Sequence, residues 1–309
     1  GGAGNDTLLA GDGNDTINSG DGNSIIDGGN GSDSITTGNG DDSIVGGDGN
    51  NVIDTGNGSD TITTGNGDDS IVGGDGSNVI DGGDGSDTIT SGNGDDVIAG
   101  GNGNDSINSG AGNDTISGGA GADWIEGGAG NDIIDGGSDG VDPMGNVRGD
   151  TVRYSGSFDR YTITANANGS VTVADSQADG DGTDTLTHIE GLSFSDRWVQ
   201  LGVNTWVNRD PKNPDKINNI SIQGSMLSET IDVSNSPNKT VSHQLRGNEG
   251  DDTLIGGAGP DDFVGGAGND SIVGGANGVD AWGNPGFDVV RYEGAFARYT
   301  IEYSSDEIG

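Results

Sequence analysis

Aspartate recurs with a strict nine-residue period in the first part of this sequence. From Gly1 to Asp135 the chain consists of fifteen consecutive nonapeptides without an insertion, and the sixth position is Asp in twelve of them. If two nonapeptides form one coil, the Asp side chains of successive coils stack in a ladder along each edge. Stacked carboxylates repel one another, and a hard divalent cation between adjacent turns would remove that repulsion. The spacing therefore predicts metal binding rather than covalent chemistry.

The available ligand atoms favour calcium over other metals. Calcium accepts six to eight oxygens in a tolerant geometry, whereas magnesium requires a stricter octahedron. Zinc and copper prefer Cys or His, and the chain has no Cys and two His. Gaps between turns could hold up to about thirteen calcium ions carrying about 26 positive charges. That charge would nearly neutralise the 25 acidic residues of positions 1–135.

The other repeat positions predict the element that carries these carboxylates. Positions two and four are Gly in all fifteen nonapeptides, and position eight is Ile in fourteen. The glycines permit positive φ and a tight turn with converging carbonyls, and the Asp-x-Ile-x stretch predicts a short strand. We therefore expect an all-β fold, a parallel β-roll of about seven and a half coils spaced about 4.8 Å apart, or roughly 36 Å of rod.

These nonapeptides, such as GGAGNDTLL and GGNGNDSIN, resemble the GGxGxDxUx repeats of the RTX (repeats-in-toxin, hemolysin-type calcium-binding) family. The resemblance implies a calcium-bound β-roll, type I secretion in an unfolded state, and folding outside the cell. By the motif match, the calcium ligands at position six are Asp6, Asp15, Asp33, Asp42, Asp60, Asp69, Asp87, Asp96, Asp105, Asp114, Asp123 and Asp132.

Three repeats depart from the motif at 27-residue spacing. Ser24, Asn51 and Asn78 replace the Asp of position six, and each of these repeats has Asp at positions three and nine. A 27-residue duplication explains the spacing. The substitution either weakens calcium binding, because a carboxylate is lost, or relieves charge crowding; we favour weaker sites.

Composition restricts the partners of the chain. The net charge is −40, hydrophobic residues make up 28%, and residues 1–135 contain no Lys or Arg. Such a polyanion should be disordered without a bound cation. It is a poor partner for nucleic acid and for anionic membrane surfaces. No signal peptide or membrane-spanning run is visible, and the chain begins and ends within a motif, so we expect a segment of a longer secreted protein.

The second half predicts a cap and a second roll. We expect an RTX β-roll at 1–137, a β-rich cap module at 138–206, a connecting region with a degenerate repeat at 207–246, a second short roll at 247–277, and the start of a second cap at 278–309. The segment from Gly278 parallels the segment from Gly140 at a constant offset of 138 residues, which indicates tandem modules. Three further position-six ligands follow from the motif in the second roll: Asp252, Asp261 and Asp270.

The cap sequence alternates with period two, which predicts β-hairpins with turns at Asn168-Gly169 and at Gly191. In the degenerate repeat, Glu229 takes the Asp position. The cap core is expected to comprise Tyr154, Phe158, Tyr161, Ile163, Val171, Leu186, Ile189, Leu192, Phe194 and Val199. Covering the open end of the roll is the favoured role for these residues, over a ligand platform.

Catalytic groups are scarce, and we expect no enzyme activity and no catalytic residues. His188 and His243 lie outside any HExxH, triad or P-loop context and are interpreted as structural or surface residues. Enzymes that resemble this family carry their chemistry in a separate domain. The dense carboxylates could imitate the acid pair of a glycosidase, but nonapeptide spacing is better explained by calcium.

Three functional classes are compatible with the sequence. The favoured one is an extracellular structural segment, a rigid extender of a surface-layer or adhesin protein that folds on calcium after export. The alternative is a calcium-folding secretion and stabilising module of an exported toxin or hydrolase. Ice binding would require a regular Thr array, and position three is never Thr. Lateral self-association through shared calcium is an additional expectation, with the cell-surface partner unknown.

Overall fold

The computed structural model describes residues 1–141, 147–166, 168–178, 180–201, 204–210, 213–227, 230–233, 242–257, 261–274 and 289–291. The chain divides into two compact units. Residues 1–140 and 148–198 form the first unit, and residues 141–147 and 199–309 form the second. Each unit is described by itself.

The first unit is built from short strands that follow the nonapeptide period. Their bounds are β1 Thr7–Asp12, β2 Thr16–Asn18, β3 Ile25–Asn30, β4 Ser34–Thr36, β5 Ser43–Val45, β6 Val52–Asp54, β7 Thr61–Thr63, β8 Ser70–Gly74, β9 Val79–Asp81, β10 Thr88–Ser91, β11 Val97–Asn102, β12 Ser106–Asn108, β13 Thr115–Gly121, β14 Trp124–Glu126, β15 Ile133–Val141, β16 Val147–Arg148, β17 Thr151–Arg153, β18 Tyr161–Ala165, β19 Val171–Asp175, β20 Thr183–Thr187, β21 Gly191–Ser193 and β22 Trp198–Gln200. A 3₁₀ turn covers Phe158–Arg160.

Alternate strands belong to two parallel sheets, so that two nonapeptides make one coil. The odd-numbered strands β1 to β15 stack in one sheet, which β20, β19 and β18 continue. The even-numbered strands β2 to β14 stack in the other, which β17, β21 and β22 continue. Partners are 18 residues apart, as in Ile26↔Ile44 and Ile35↔Ile53. The predicted parallel β-roll is confirmed.

The core of the roll is the pair of Ile ladders predicted at position eight. Side chains from Ile17 to Ile134 at this position are 0–8% exposed, while both strand neighbours are generally exposed. This alternation follows from the period-two geometry of a strand with one face inside. Burying one such side chain contributes about 1.5–3 kcal/mol, so the ladders hold the coils together.

The end of the first unit continues the roll beyond the nonapeptides. β20 pairs in parallel with β15 and β21 with β17, with Leu186 opposite Ile134 and Leu192 opposite Val152. The prediction of a hairpin turn at Gly191 is therefore wrong. Gly191 begins a strand of one sheet while β20 belongs to the other, because residues 183–193 form another coil.

One predicted hairpin is present on the outer edge of this coil. β18 pairs antiparallel with β19, and the turn contains Asn168 and Gly169, with φ of 88° at Gly169. β19 in turn pairs antiparallel with β20. The Asn-Gly signal thus located this turn correctly.

The predicted cap core is confirmed in its centre. Tyr154 lies with ring centroids 5.1 Å from Tyr161 and 5.4 Å from Phe194. Six of the ten predicted residues are buried: Tyr154, Tyr161, Leu186, Ile189, Leu192 and Phe194. The other four, Phe158, Ile163, Val171 and Val199, are half-buried, and Val152 and Val173 are buried in addition.

The second unit repeats this architecture on a smaller scale. Its strands are β23 Asn204–Asp210, β24 Asn213–Gln223, β25 Thr230–Asp232, β26 Ser242–Glu249, β27 Thr253–Ile255, β28 Asp262–Ala267, β29 Ser271–Val273 and β30 Val289–Arg291. They form a five-stranded sheet, β23-β24-β26-β28-β30, and a three-stranded sheet, β25-β27-β29. The buried cluster between them comprises Ile222, Ile231, Val233, Leu245, Leu254 and Phe263.

Two expectations fall outside the described residues, namely Glu229 and, apart from β30, the second cap from residue 278. In the part of the chain that the structure describes, no helix has the length and apolarity needed to span a membrane.

Candidate metal centres

Each position-six side chain is fixed by the backbone of the preceding coil on the same edge. The backbone N–H of Asp87 donates to Oδ1 of Asp105 at 2.8 Å, and the N–H of Asp105 donates to Oδ1 of Asp123 at 2.8 Å. The same bond recurs at almost every coil, so each edge of the roll carries a continuous ladder of carboxylates. One oxygen of each carboxylate thereby has a defined structural partner.

The second oxygen of these carboxylates has no such partner. Oδ2 of every predicted ligand in the first roll is inaccessible to solvent and accepts no hydrogen bond from the described residues. A buried carboxylate oxygen without a donor is strongly unfavourable unless a cation or proton satisfies it. The twelve residues are Asp6, Asp15, Asp33, Asp42, Asp60, Asp69, Asp87, Asp96, Asp105, Asp114, Asp123 and Asp132.

A glycine at position one leaves room beside this oxygen. A Cβ atom at Gly82 would lie 2.6 Å from Asp87 Oδ2 and 2.6 Å from the carbonyl oxygen of Gly100, which is position one of the next coil. Gly28 has the same surroundings, with 2.5 Å to Asp33 Oδ2 and 2.6 Å to the Gly46 carbonyl oxygen. A carboxylate oxygen and a carbonyl oxygen therefore face one small space, which suits a cation that prefers oxygen ligands.

Burial makes the ionised form of these carboxylates costly in the absence of a cation. Burial, increased by repulsion from neighbouring carboxylates, raises the pKa of Asp87 to about 7 and the pKa values of Asp105 and Asp132 to about 6. Burial also raises the pKa values of Asp60, Asp69, Asp96, Asp114 and Asp123. A bound divalent cation would offset this desolvation, so the residues present fit calcium.

The turns that lack Asp replace the cation with an amide. Asn51 Nδ2 donates to the carbonyl oxygens of Gly47 at 3.0 Å and Gly49 at 2.9 Å. The orientation of the amide is fixed because Asn51 Oδ1 accepts the N–H of Asp33 at 3.0 Å. Asn78 repeats the pattern, and its Nδ2 also donates to Ser91 Oγ. The carbonyl oxygens of positions two and four thus face the position-six side chain.

These turns also carry a second polar contact on the outer surface. The Asp at position three accepts from the Asn at position three of the next coil: Asn39 N and Nδ2 donate to Asp21 Oδ1 at 3.0 and 2.8 Å. Asn66 and Asp48 form the same contact. The 27-residue repeat therefore combines an inner amide with an outer Asp–Asn pair.

The ladders extend beyond the motif through two residues that were not predicted. The N–H of Asp123 donates to Asp150 Oδ1 at 2.7 Å, and the N–H of Asp132 donates to Asp184 Oδ1 at 2.9 Å. Burial raises the pKa of Asp150 to about 7 and that of Asp184 to about 8. The signal available was the half-motif Asp-Thr-Val at residues 150–152 and Asp-Thr-Leu at 184–186, which lacks the preceding Gly-x-Gly.

The second unit places its three predicted ligands differently. The N–H of Asp252 donates to Oδ1 of Asp270 at 3.1 Å, and both residues are buried. Asp261 is engaged instead by protein groups: Oδ1 accepts the N–H of His243 at 3.0 Å, and Oδ2 accepts the N–H of Gly257 at 2.9 Å. Asp252 and Asp270 thus repeat the ladder, while Asp261 has neither oxygen in the arrangement of the first roll.

The two histidines contact carboxylates of the rolls. His243 Nδ1 lies 2.9 Å from Asp261 Oδ1, and the ring is 1% exposed. His188 Nδ1 lies 2.6 Å from Asp135 Oδ1 on the surface, and this contact raises the pKa of His188. Their positions agree with structural and surface roles.

Comparison with solved structures and curated proteins adds little beyond the repeat itself. The crystal structure of the extracellular lipase LipA from Serratia marcescens is 19% identical, with a TM-score of 0.16. The match covers 60% of this chain and 28% of the lipase chain, so this chain spans well under two thirds of that protein. No curated protein matches.

A family model matches more than half of the chain. The model describes four copies of the RTX calcium-binding nonapeptide repeat, and it matches residues 1–26 and 27–62, overlapping segments from 54 to 123, and residues 108–140 and 246–277. Repeats of this type bind several calcium ions per array. Together with the parallel roll and its edge ladders, this match shows that the chain belongs to the RTX calcium-binding nonapeptide repeat family.

Proposed function

We propose that this chain is an extracellular structural segment that folds when calcium binds its edge ladders after type I secretion. The observation that carries the proposal is the set of twelve buried Oδ2 atoms without donors in a single roll. Calcium bound to the folded state alone stabilises that state by mass action. The proposed ligands are the position-six Asp residues of the first roll, with Asp252 and Asp270 in the second unit.

Low cytosolic calcium would leave the acidic array unfolded and suitable for export. Extracellular calcium-binding modules typically have dissociation constants of about 0.1–1 mM, so the chain would fold after release. Each coil provides the pairing edge for the next, and folding should therefore be cooperative along the roll. The five predicted segments, from the roll at 1–137 to the second cap at 278–309, are proposed as tandem modules.

A rigid role follows from the geometry of the roll. Its first unit stacks nine parallel strands in each sheet, held by ladders of Ile and of carboxylates. A calcium-filled roll should resist extension, as a spacer of a surface-layer or adhesin protein requires. The chain is proposed to have no catalytic activity of its own.

Single-molecule force spectroscopy of the chain between two handles tests this role. In calcium, we expect discrete unfolding events at measurable force; in chelator, we expect smooth extension as a random coil. Refolding after relaxation should require calcium and should not occur with magnesium. A roll that extends equally easily in calcium and chelator would exclude the extender role and favour a module that acts only in export.

A further inference from the structure

The sixteenth nonapeptide of the first roll is interrupted and then resumed. Gly136 and Gly137 follow Asp135 as positions one and two, and the strand of this coil begins at Thr151. The register Trp124↔Thr151 and Ile125↔Val152 places Asp150 one coil beyond Asp123. Asp150 therefore stands at position six, although the insertion separates it from its glycines.

Asp150 has the same arrangement as the repeat carboxylates. It is 0% exposed, its Oδ2 has no donor among the described residues, and its Oδ1 accepts the N–H of Asp123. A Cβ atom at Gly136 would meet Asp150 Oδ2 and the carbonyl oxygen of His188. This is the pair of oxygens that a Cβ atom at Gly82 would meet in the regular turns, where the carbonyl comes from Gly100.

Two further carboxylates reach this space. One oxygen each of Asp139, Asp150 and Glu190 lie within 4.8 Å of one another. Glu190 Oε2 accepts the N–H of Asp150 at 2.8 Å, so its position is fixed by the backbone. Burial raises the pKa values of Asp150 and Glu190 to about 7, and the nearby Asp139 raises both further. A regular turn brings a single position-six carboxylate to the corresponding space.

We propose that Asp139, Asp150 and Glu190, with the carbonyl oxygen of His188, bind one calcium ion more tightly than the regular turns do. Calcium affinity rises with the number of charged ligands at a site, and this site has three. All four groups offer oxygen, and the His188 ring nitrogen Nδ1 lies against Asp135 instead. The inference rests on the calcium-coupled folding proposed above.

Trp198 makes this site observable. A Cβ atom at Gly191, the residue after Glu190, would lie 2.8 Å from the indole of Trp198. Terbium substitutes for calcium at oxygen sites, and its emission is sensitised by a nearby tryptophan. Terbium added to the full 309-residue chain should therefore produce tryptophan-sensitised emission in the first, tightest phase of the titration, and Trp198→Phe should reduce it. The indole is 53% exposed, so this substitution should leave the fold intact.

The variants Glu190→Gln and Asp139→Asn test the ligand assignment. Gln retains an acceptor for the Asp150 N–H, and Asp139 is exposed, so both variants should fold at saturating calcium. We expect each to weaken the first phase by at least about tenfold, since a charged ligand is lost. Calorimetry with calcium should show the same loss of the tightest site. The control is Glu126→Gln, which removes an exposed carboxylate 3.3 Å from Arg153 on the neighbouring strand.

The outcomes separate this site from the general function. If both variants keep the first-phase affinity while the parent chain folds in calcium, the site is wrong and the proposed function stands. If the parent chain binds no calcium by calorimetry, both proposals fail. Loss of the tight phase in Glu126→Gln as well would show a nonspecific charge effect and would also overturn the assignment.

Discussion

Asn51 Nδ2 donates to the carbonyl oxygen of Gly47 at 3.0 Å, in the place where an Asp turn has only acceptors. The neutral amide thus supplies to the turn carbonyls the positive partner that a cation would otherwise provide. Removing the donor would leave buried carbonyl oxygens unsatisfied, at a cost of about 1–3 kcal/mol. Turns with Asn at position six should hold their shape without calcium.

The variant Asn51→Asp should therefore create a calcium site. The carboxylate removes the amide donor and restores the set of acceptors found at Asp87 and Asp105. We expect one additional bound calcium per chain, and the same gain for Asn78→Asp. Calcium stoichiometry by equilibrium dialysis at saturating calcium measures this directly.

The control for this experiment is Asn57→Asp at position three. It adds the same charge on the exposed surface, where Asp48 and Asp75 occur naturally in other turns. We expect unchanged stoichiometry for the control. Equal stoichiometry of Asn51→Asp and the parent chain would mean that the amide turns already bind calcium.

Substitution of Asp105 separates the loss of calcium from the loss of structure. Asp105→Asn should lose one calcium, but the amide can donate to the turn carbonyls as Asn51 does. Asp105→Ala should lose the calcium and leave the carbonyls unsatisfied, so it should be less stable than Asp105→Asn by about 1–3 kcal/mol. Thermal unfolding in saturating calcium compares the two, with Asp95→Asn at the exposed position five as the control. Unchanged calcium titration curves for both variants would contradict the ligand assignment.

A methyl group at position one should close a calcium site from the side. The Cβ atom of Gly82→Ala would lie 2.6 Å from Asp87 Oδ2 and from the Gly100 carbonyl oxygen. We expect weaker calcium binding at this turn, with no backbone strain because φ at Gly82 is not positive. The converse change is Ser109→Gly, which removes a hydroxyl that donates to the Gly127 carbonyl oxygen at 2.7 Å and should strengthen binding. Calorimetric titrations that shift both variants in the same direction would argue against this geometry.

Acid should partly replace calcium in the metal-free chain. Burial raises the pKa values of Asp87, Asp105, Asp132 and Asp184 to between about 6 and about 8 from an ordinary value of 3.8. The folded chain then holds more protons than the unfolded chain, so its free energy of unfolding rises as the pH falls. This stabilisation is complete below 3.8 and is lost as the pH rises through the raised values.

Circular dichroism in chelator between about pH 8 and pH 4 measures this effect. We expect β-structure to increase as the pH falls, while calcium affinity decreases over the same range because calcium requires ionised carboxylates. A chelated chain that stays equally disordered across this range would show that the carboxylate ladders do not oppose folding.

The regular part of the fold was predictable because each nonapeptide position has one physical role. Ile44 and Asp42 illustrate this: the period alone places the first inside the roll and the second on its edge. Asp150, Asp184 and Glu190 were missed because insertions separate them from the glycines that define the motif. The hairpin expected at Gly191 was wrong for the same reason, since a Gly after a polar residue signals a turn unless a neighbouring coil supplies a pairing edge.

The chemistry of the departing turns also required coordinates. The sequence shows that Asn51 lacks a carboxylate, and it leaves open whether the turn binds calcium weakly or avoids charge crowding. Only the orientation of the amide, fixed by the Asp33 N–H, shows that its nitrogen faces the turn carbonyls. The engagement of Asp261 by His243 and Gly257 likewise depends on contacts that no local pattern encodes.

The central claim is that calcium organises the roll, and circular dichroism of the whole chain tests it most directly. The chain is titrated with calcium in parallel with magnesium at equal ionic strength. We predict a disordered spectrum in chelator that converts cooperatively to β-structure with calcium and remains disordered with magnesium. A chain already folded in chelator at neutral pH, or one that calcium fails to fold, would contradict the account.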